Sequence, residues 1–377
     1  MYSLQRRSWV RALALATLLV VAQAAGSDSV PTAQPTTNFT VAAYLPEWRY
    51  DSANYERICR VVTHLIFFSI EALDDGRLGA LDRLPRKSLR DEARPHCHKM
   101  LLCVGGNGRS AGFTLAVATR KARRTFITAL LSLCETTGFD GIDFNWEYPG
   151  FRFGTGYQAD EAVATDYRGL EALLRETQAA FRPSGRLVTI AYYPDRRQEG
   201  FLAPLAQYVD AMHMMAYDQG ARHSTYEFAA GVAAQAAELL PASKVTLGLP
   251  FYGRSTATGD WKSYEDLLKI EDFPDGPATS REKDETRGYY YNGPATIARK
   301  TELAASLGLQ GVMIWEIGQD CREAPVVRRG RVAHVQTCPE GGPATSLLAA
   351  ISAAIPSNSN TATGGGEGQR DRNHEEL

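Results

Sequence analysis

The residues best suited to chemistry stand in one short row. Positions 140–147 read Asp140-Gly141-Ile142-Asp143-Phe144-Asn145-Trp146-Glu147. Apolar residues at 142, 144 and 146 alternate with polar ones at 143, 145 and 147. That is the period of a strand, whose side chains take opposite faces in turn. One face therefore presents a carboxylate, an amide and a second carboxylate. Acids gathered at a buried strand end push one pKa upward. A Glu raised in this way is what proton donation near neutral pH requires. By themselves, the same residues also fit a polar cluster capping the next helix.

Something must carry such a strand. Short apolar runs recur at 41–45, 62–69, 100–104, 141–145, 187–193, 211–215, 245–250 and 311–315, most of them rich in β-branched and aromatic residues. Amphipathic stretches lie between many of them, such as 123–137 and 167–181. Eight strand–helix repeats predict an α/β fold, a closed parallel (β/α)8 TIM barrel with helices outside. The alternative is a doubly wound open sheet. Its first strand would usually lead into a Gly-rich phosphate loop, and Tyr44-Leu45-Pro46-Glu47 is not one. In a barrel the reactive groups stand at the carboxyl ends of the strands.

Several segments together carry a family resemblance. The row Asp140-Gly-Ile-Asp143-Phe-Asn145-Trp-Glu147-Tyr-Pro resembles the Asp-Gly-x-Asp-x-Asp-x-Glu signature of glycoside hydrolase family 18, the chitinases and their relatives. Val104-Gly105-Gly106 resembles the tail of that family's Ser-x-Gly-Gly motif on the third strand. Met215-Ala216-Tyr217-Asp218 matches its sixth-strand motif, the segment from Gly248 to Arg254 its seventh, and Gly311 to Glu316 its eighth. The resemblance spans residues 40–355.

The resemblance implies a substrate-assisted retaining mechanism on β-1,4-linked N-acetylglucosamine. Glu147 would protonate the leaving glycosidic oxygen, and the substrate's own 2-acetamido carbonyl would attack the anomeric carbon. Asn145 would hold the acetamido N–H and Tyr217 would donate to its carbonyl. Trp315 would floor the sugar, with Tyr44 and Asp143 lining the barrel centre. Met215, Asp218, Gly106 and Trp146 would complete the binding site. No metal and no cofactor are implied, and the partners are chitin or chito-oligosaccharides bound by a monomer.

Two positions depart from the family pattern. Asn145 stands where the family has its middle Asp, and Cys103 where it has Ser. An amide still accepts from an acetamido N–H, but it cannot carry the charge that stabilises a developing oxazolinium. Losing a preorganised electrostatic partner typically costs about 2.7–4 kcal/mol. The expectation is a slowed or retuned hydrolase, with two alternatives. One is a non-catalytic chito-oligosaccharide lectin of the same fold, and the other an endo-β-N-acetylglucosaminidase acting on N-glycans.

Only positions 255–310 separate the last two strand motifs, too few for the α+β insertion domain that many members carry there. The groove is expected to be shallow and open. Trp48, Tyr50, Trp146, Tyr148, Tyr192, Tyr193 and Trp261 are candidates for stacking on sugars, at least half of them expected to be ordinary packing.

The ends of the chain peel away from this domain. Residues 1–24 read as a secretory signal peptide, with Arg6, Arg7 and Arg11 before an apolar run and Ala22-Gln23-Ala24 as its cleavage site. Residues 25–39 read as a short linker bearing the Asn38 glycosylation sequon, and 356–377 as a disordered tail. The terminal His374-Glu375-Glu376-Leu377 resembles the endoplasmic-reticulum retrieval signal, an arbitrary acidic terminus being the alternative. The expected location is the secretory pathway, secreted or retained in that lumen.

Six Cys in such a chain invite disulfides, with Cys321–Cys338 across a Pro/Arg-rich loop favoured over Cys59–Cys97. His96-Cys97-His98 has no second cluster at zinc-ligand spacing and reads as a loop. The basic run Arg120, Lys121, Arg123 and Arg124 reads as a solvated face at a helix start. A net charge of -2, from 41 basic and 43 acidic residues, argues against nucleic-acid and anionic-membrane partners.

Overall fold

The computed structural model describes residues 39–152, 154–270, 283–328, 331–338 and 345–356. The expected signal peptide, Asn38 of the sequon and positions 357–377 with the terminal tetrapeptide lie outside them.

Eight parallel strands close into a barrel: β1 (Thr40–Pro46), β2 (His64–Ala72), β3 (Lys99–Gly105), β4 (Gly141–Asn145), β5 (Leu187–Tyr192), β6 (Ala211–Met214), β7 (Val245–Pro250) and β8 (Gly311–Trp315). Each pairs with its sequence neighbour. The ring is shut by β1 against β8, with Thr40 opposite Gly311 and Ala42 opposite Met313. Each sequence-predicted apolar run holds one of these strands. The second starts later and ends later than its run, and its register against β3 shifts between Phe67 and Ile70.

Alternation along the strands sorts the core into two layers. Outward side chains such as Val41, Leu45, Phe67, Val104, Ile142 and Phe144 pack beneath the helices. Inward ones, among them Tyr44, Phe68, Cys103, Tyr217 and Met313, fill the barrel. The inner layer also buries Asp143, Thr189, His213 and Thr246. Burying so many polar groups is costly unless each finds a partner.

The helices that cover the outer layer include α1 (Arg120–Thr137), α2 (Asp160–Phe181), α3 (Tyr226–Leu239), α4 (Pro294–Ser306) and α5 (Leu347–Ala354). Thr119 caps α1 by accepting from the Ala122 N–H, and Gly138 closes it at φ 80°, where a side chain would be strained. The second helix starts seven residues before its amphipathic stretch, with Asp160 and Glu161 in its first turn, where acids meet the positive end of the helix dipole. Arg123 departs from the solvated face expected of the basic run. It is part-buried and bridges α1 to α2 through Glu176, at 2.8 and 3.1 Å.

Between β7 and β8 the described residues form a small antiparallel sheet of Tyr252–Ser255, Trp261–Ser263, Glu285–Thr286 and Tyr289–Tyr290, with a helix over Tyr264–Ile270. It belongs to the same compact unit as the barrel. The Cys321–Cys338 and Cys59–Cys97 pairs are both disulfides. The segment between Cys321 and Cys338 is no loop: Glu323–Arg328 pairs with Arg331–Gln336 as an antiparallel hairpin. Among the described residues, no helix is long and apolar enough to cross a membrane.

Candidate active site

The strand row lies where the alternation puts it. Asp143 is fully buried at the barrel axis, and its carboxylate accepts from the Tyr44 hydroxyl at 2.8 Å and from the Thr189 hydroxyl at 2.7 Å. Burial pushes its pKa up, against hydrogen bonds from Thr189, Tyr44 and Cys103 that favour the charge. His213 approaches the same carboxylate with Nε2 at 3.8 Å, while its Nδ1 pairs with the Thr246 hydroxyl at 2.8 Å.

Two residues on, Asn145 is buried with its Oδ1 lacking a partner. Its side chain hydrogen-bonds Glu147. The backbone around it is pinned by the third-strand loop. Gly106 N–H donates to the Asn145 carbonyl at 2.7 Å, and the Ser110 hydroxyl donates to that carbonyl at 3.2 Å. The Glu147 N–H in turn donates to the Ser110 oxygen at 3.1 Å. Gly106 has φ 101°, and any Cβ there would stand 2.4 Å from the Phe68 ring, so the close approach requires glycine.

Burial pushes the Glu147 carboxyl up to about 7. The Asn145 side chain and the Asn107 backbone N–H pull against that rise, and the Asp218 charge adds to it. Asp218 itself is an anion. Burial opposes the charge, but the donors around it prevail and hold it at about 2. Tyr252 and the Arg254 Nε each donate to it at 2.6 Å, and His223 Nδ1 stands 3.7 Å away. Glu316, fully buried, is raised by burial to about 7 as well, against the pull of Arg49.

These groups open into one cleft of about 250 Å³. Of the sequence-predicted residues, Glu147, Asn145, Tyr217, Tyr44, Met215, Asp218 and Trp315 line it, and Asp143 lies beneath. The Trp315 ring is set by Phe68, edge to face at 4.8 Å, and by Tyr44 at 5.4 Å. Gly106 supports the site through its backbone and does not line it. Trp146 is a correction. It is 5% exposed and stacks flat on Phe113 at 5.1 Å in the outer core, because position 146 alternates away from 145 and 147. Of the other aromatics, Tyr50 and Tyr192 are buried, whereas Trp48, Tyr148, Tyr193 and Trp261 line the cleft. Ordinary packing thus takes three of the seven, fewer than expected.

Residues that sequence reasoning left without a role also stand here: Asn107, Tyr252, Arg254, Glu316 and Gln319 line the wall. Tyr252, Arg254 and Glu316 fall inside the strand motifs, so the signal was present, but a motif does not show which side chain turns inward. Among the described residues, no cluster of His, Cys, Asp and Glu is placed to hold a metal ion.

Comparison with known proteins gives the family and the fold. The model of the family Glycosyl hydrolases family 18 matches residues 40–320. Chitotriosidase-1 of Mus musculus is 32% identical over 225 residues, covering 51% of this chain and 47% of its own length. Chitinase 1 of Aphanocladium album is 27% identical over 271 residues, covering 58% and 61% respectively. The match thus spans about half to three fifths of these relatives. Among solved structures, a chitinase from Bacteroides thetaiotaomicron superposes with a TM-score of 0.68 at 23% identity, over 87% of this chain and 99% of that one. The GH18 chitinase ChiB of Flavobacterium johnsoniae gives 0.65 at 21%, over 84% and 93%. These two likenesses concern the fold alone.

Proposed function

The chain belongs to family 18 of the glycosyl hydrolases, and from that premise we propose that it cleaves β-1,4-linked N-acetylglucosamine oligomers by substrate-assisted catalysis with retention. The observation that carries the reading is the Glu147 carboxyl, pushed to about 7 by burial at the lip of a sugar-sized cleft. Such a carboxyl holds its proton near neutral pH and gives it to a leaving oxygen.

The neighbouring groups suit the substrate's acetamido arm. The unpartnered Asn145 Oδ1 accepts its N–H, and in doing so satisfies a buried acceptor that the protein leaves open. Tyr217 donates to its carbonyl oxygen and holds it against the anomeric carbon. The exposed part of Trp315 takes the apolar face of the ring above. As the glycosidic bond breaks, that carbonyl oxygen bonds to the anomeric carbon and the proton of Glu147 leaves with the aglycone. The ionised Glu147 then takes a proton from the water that attacks the anomeric carbon and opens the oxazolinium ring, whose N–H stays on the acetamido arm. Asn145 positions the arm without a charge, so the intermediate is stabilised less than by a carboxylate, and turnover is slow.

Hydrolysis of a fluorogenic chitotrioside by the wild type and by Glu147→Gln tests this. Turnover that the substitution abolishes is the expected result. Equal background rates in two proteins that both bind chito-oligomers would replace the hydrolase with a lectin.

A further inference from the structure

Trp48 is 57% exposed on the segment after β1, and it lines the cleft. An indole standing in water stacks well only if it is already fixed, since a ligand that must order it loses affinity. The side chain that fixes it is Arg109. Its guanidinium carbon lies 5.8 Å from the Trp48 ring centroid and 4.9 Å from that of Phe68. The same fork donates to Glu47 at 2.7 and 3.2 Å and to the Ser69 hydroxyl at 3.1 Å. Glu47 immediately precedes Trp48, so the ion pair holds the backbone that bears the indole while the cation meets the ring. Phe68 meets the floor residue Trp315 edge to face. Arg109 therefore stands between the rim indole and Phe68, which in turn meets the floor indole.

We infer that Arg109 is a positioning residue that sets Trp48 relative to Trp315, and through Trp48 selects N-acetylglucosamine chains long enough to reach the rim. The inference rests on the reading of the cleft as a site for such chains. Arginine suits the task because its planar, weakly hydrated fork grips a carboxylate while its face lies on aromatic rings. Lysine supplies the charge without the fork.

The test uses Glu147→Gln protein, which separates binding from turnover, and measures calorimetric affinity for chitobiose and chitohexaose. Arg109→Gln is expected to lower the hexamer-to-dimer affinity ratio about fivefold, and Arg109→Lys to lower it in the same direction. Arg83 also stands 3.9 Å from Glu47, so the carboxylate is not abandoned when Arg109 is replaced. Trp48→Ala is expected to lower the ratio at least as far. Adding Arg109→Gln to Trp48→Ala changes the ratio less than twofold further, because the arginine acts through the indole. An unchanged ratio in the folded Arg109 variants, or full additivity in the double variant, overturns the inference alone. If neither oligomer binds the Glu147→Gln protein, the reading of the cleft fails and takes the inference with it.

Discussion

The hydroxyl of Tyr217 donates to the sulfur of Met313 at 3.7 Å, inside the barrel mouth. A thioether is a weak acceptor, so a substrate carbonyl displaces it at little cost. Burial, followed by the charges of Asp218 and Glu147, raises the Tyr217 pKa well above its ordinary value and keeps the hydroxyl a neutral donor. Tyr217→Phe should therefore lower kcat on a chitotrioside about 100-fold. The melting temperature should hardly move, because only a bond to sulfur is lost. Parallel losses in rate and stability would mean that Tyr217 is a packing residue.

The pH dependence follows from the proton on Glu147. The carboxyl must be protonated to donate, and it titrates at about 7. The kcat/KM profile is expected to fall through an alkaline limb near pH 7, tenfold per pH unit beyond it. Glu316 titrates in the same region but is tied to Arg49, so the limb should persist in Glu316→Gln. A limb that disappears in that variant would transfer the titration to Glu316.

Asn145→Asp asks what the amide does. The side chain of Asn145 hydrogen-bonds Glu147 and favours its ionised form. An ionised Asp would remove that donor and add a charge, raising the Glu147 pKa and moving the alkaline limb upward. It would also restore a carboxylate beside the developing cation, so kcat is expected to rise about tenfold or more. A fall in kcat would mean that the site works through the amide itself.

Much of this site was legible because strand alternation is a local property. Positions 143, 145 and 147 face the barrel and the cleft for the same reason that Trp146 does not, and the trace of alternation already separated them. The partners of Asp143 were not legible. Thr189 is 46 positions away and Tyr44 is 99, and barrel closure rather than any motif brings them together. The same holds for Arg254 on Asp218 and for Arg109 between Trp48 and Phe68. The hairpin between Cys321 and Cys338 is not legible in the sequence because Pro and Arg obscure its period, whereas pairing of Val326 with Ala333 and Val327 with Val332 supplies the register.

Stability offers a check on Glu147 that needs no substrate. Its folded pKa lies above the ordinary 4.5, so between pH 4.5 and about 7 the folded chain binds more protons than the unfolded one. Its contribution is complete below pH 4.5 and is lost as pH rises through about 7. Glu147→Gln keeps a neutral side chain of the same shape at every pH. It should melt close to the wild type at pH 4.5 and be more stable at pH 8, by about 2 kcal/mol once its partial exposure is discounted. Denaturant unfolding at the two pH values measures the difference. A gap that does not change with pH would mean that the carboxyl is not raised, and the proton donor would have to be sought elsewhere in the cleft, with Glu316 the next group to replace.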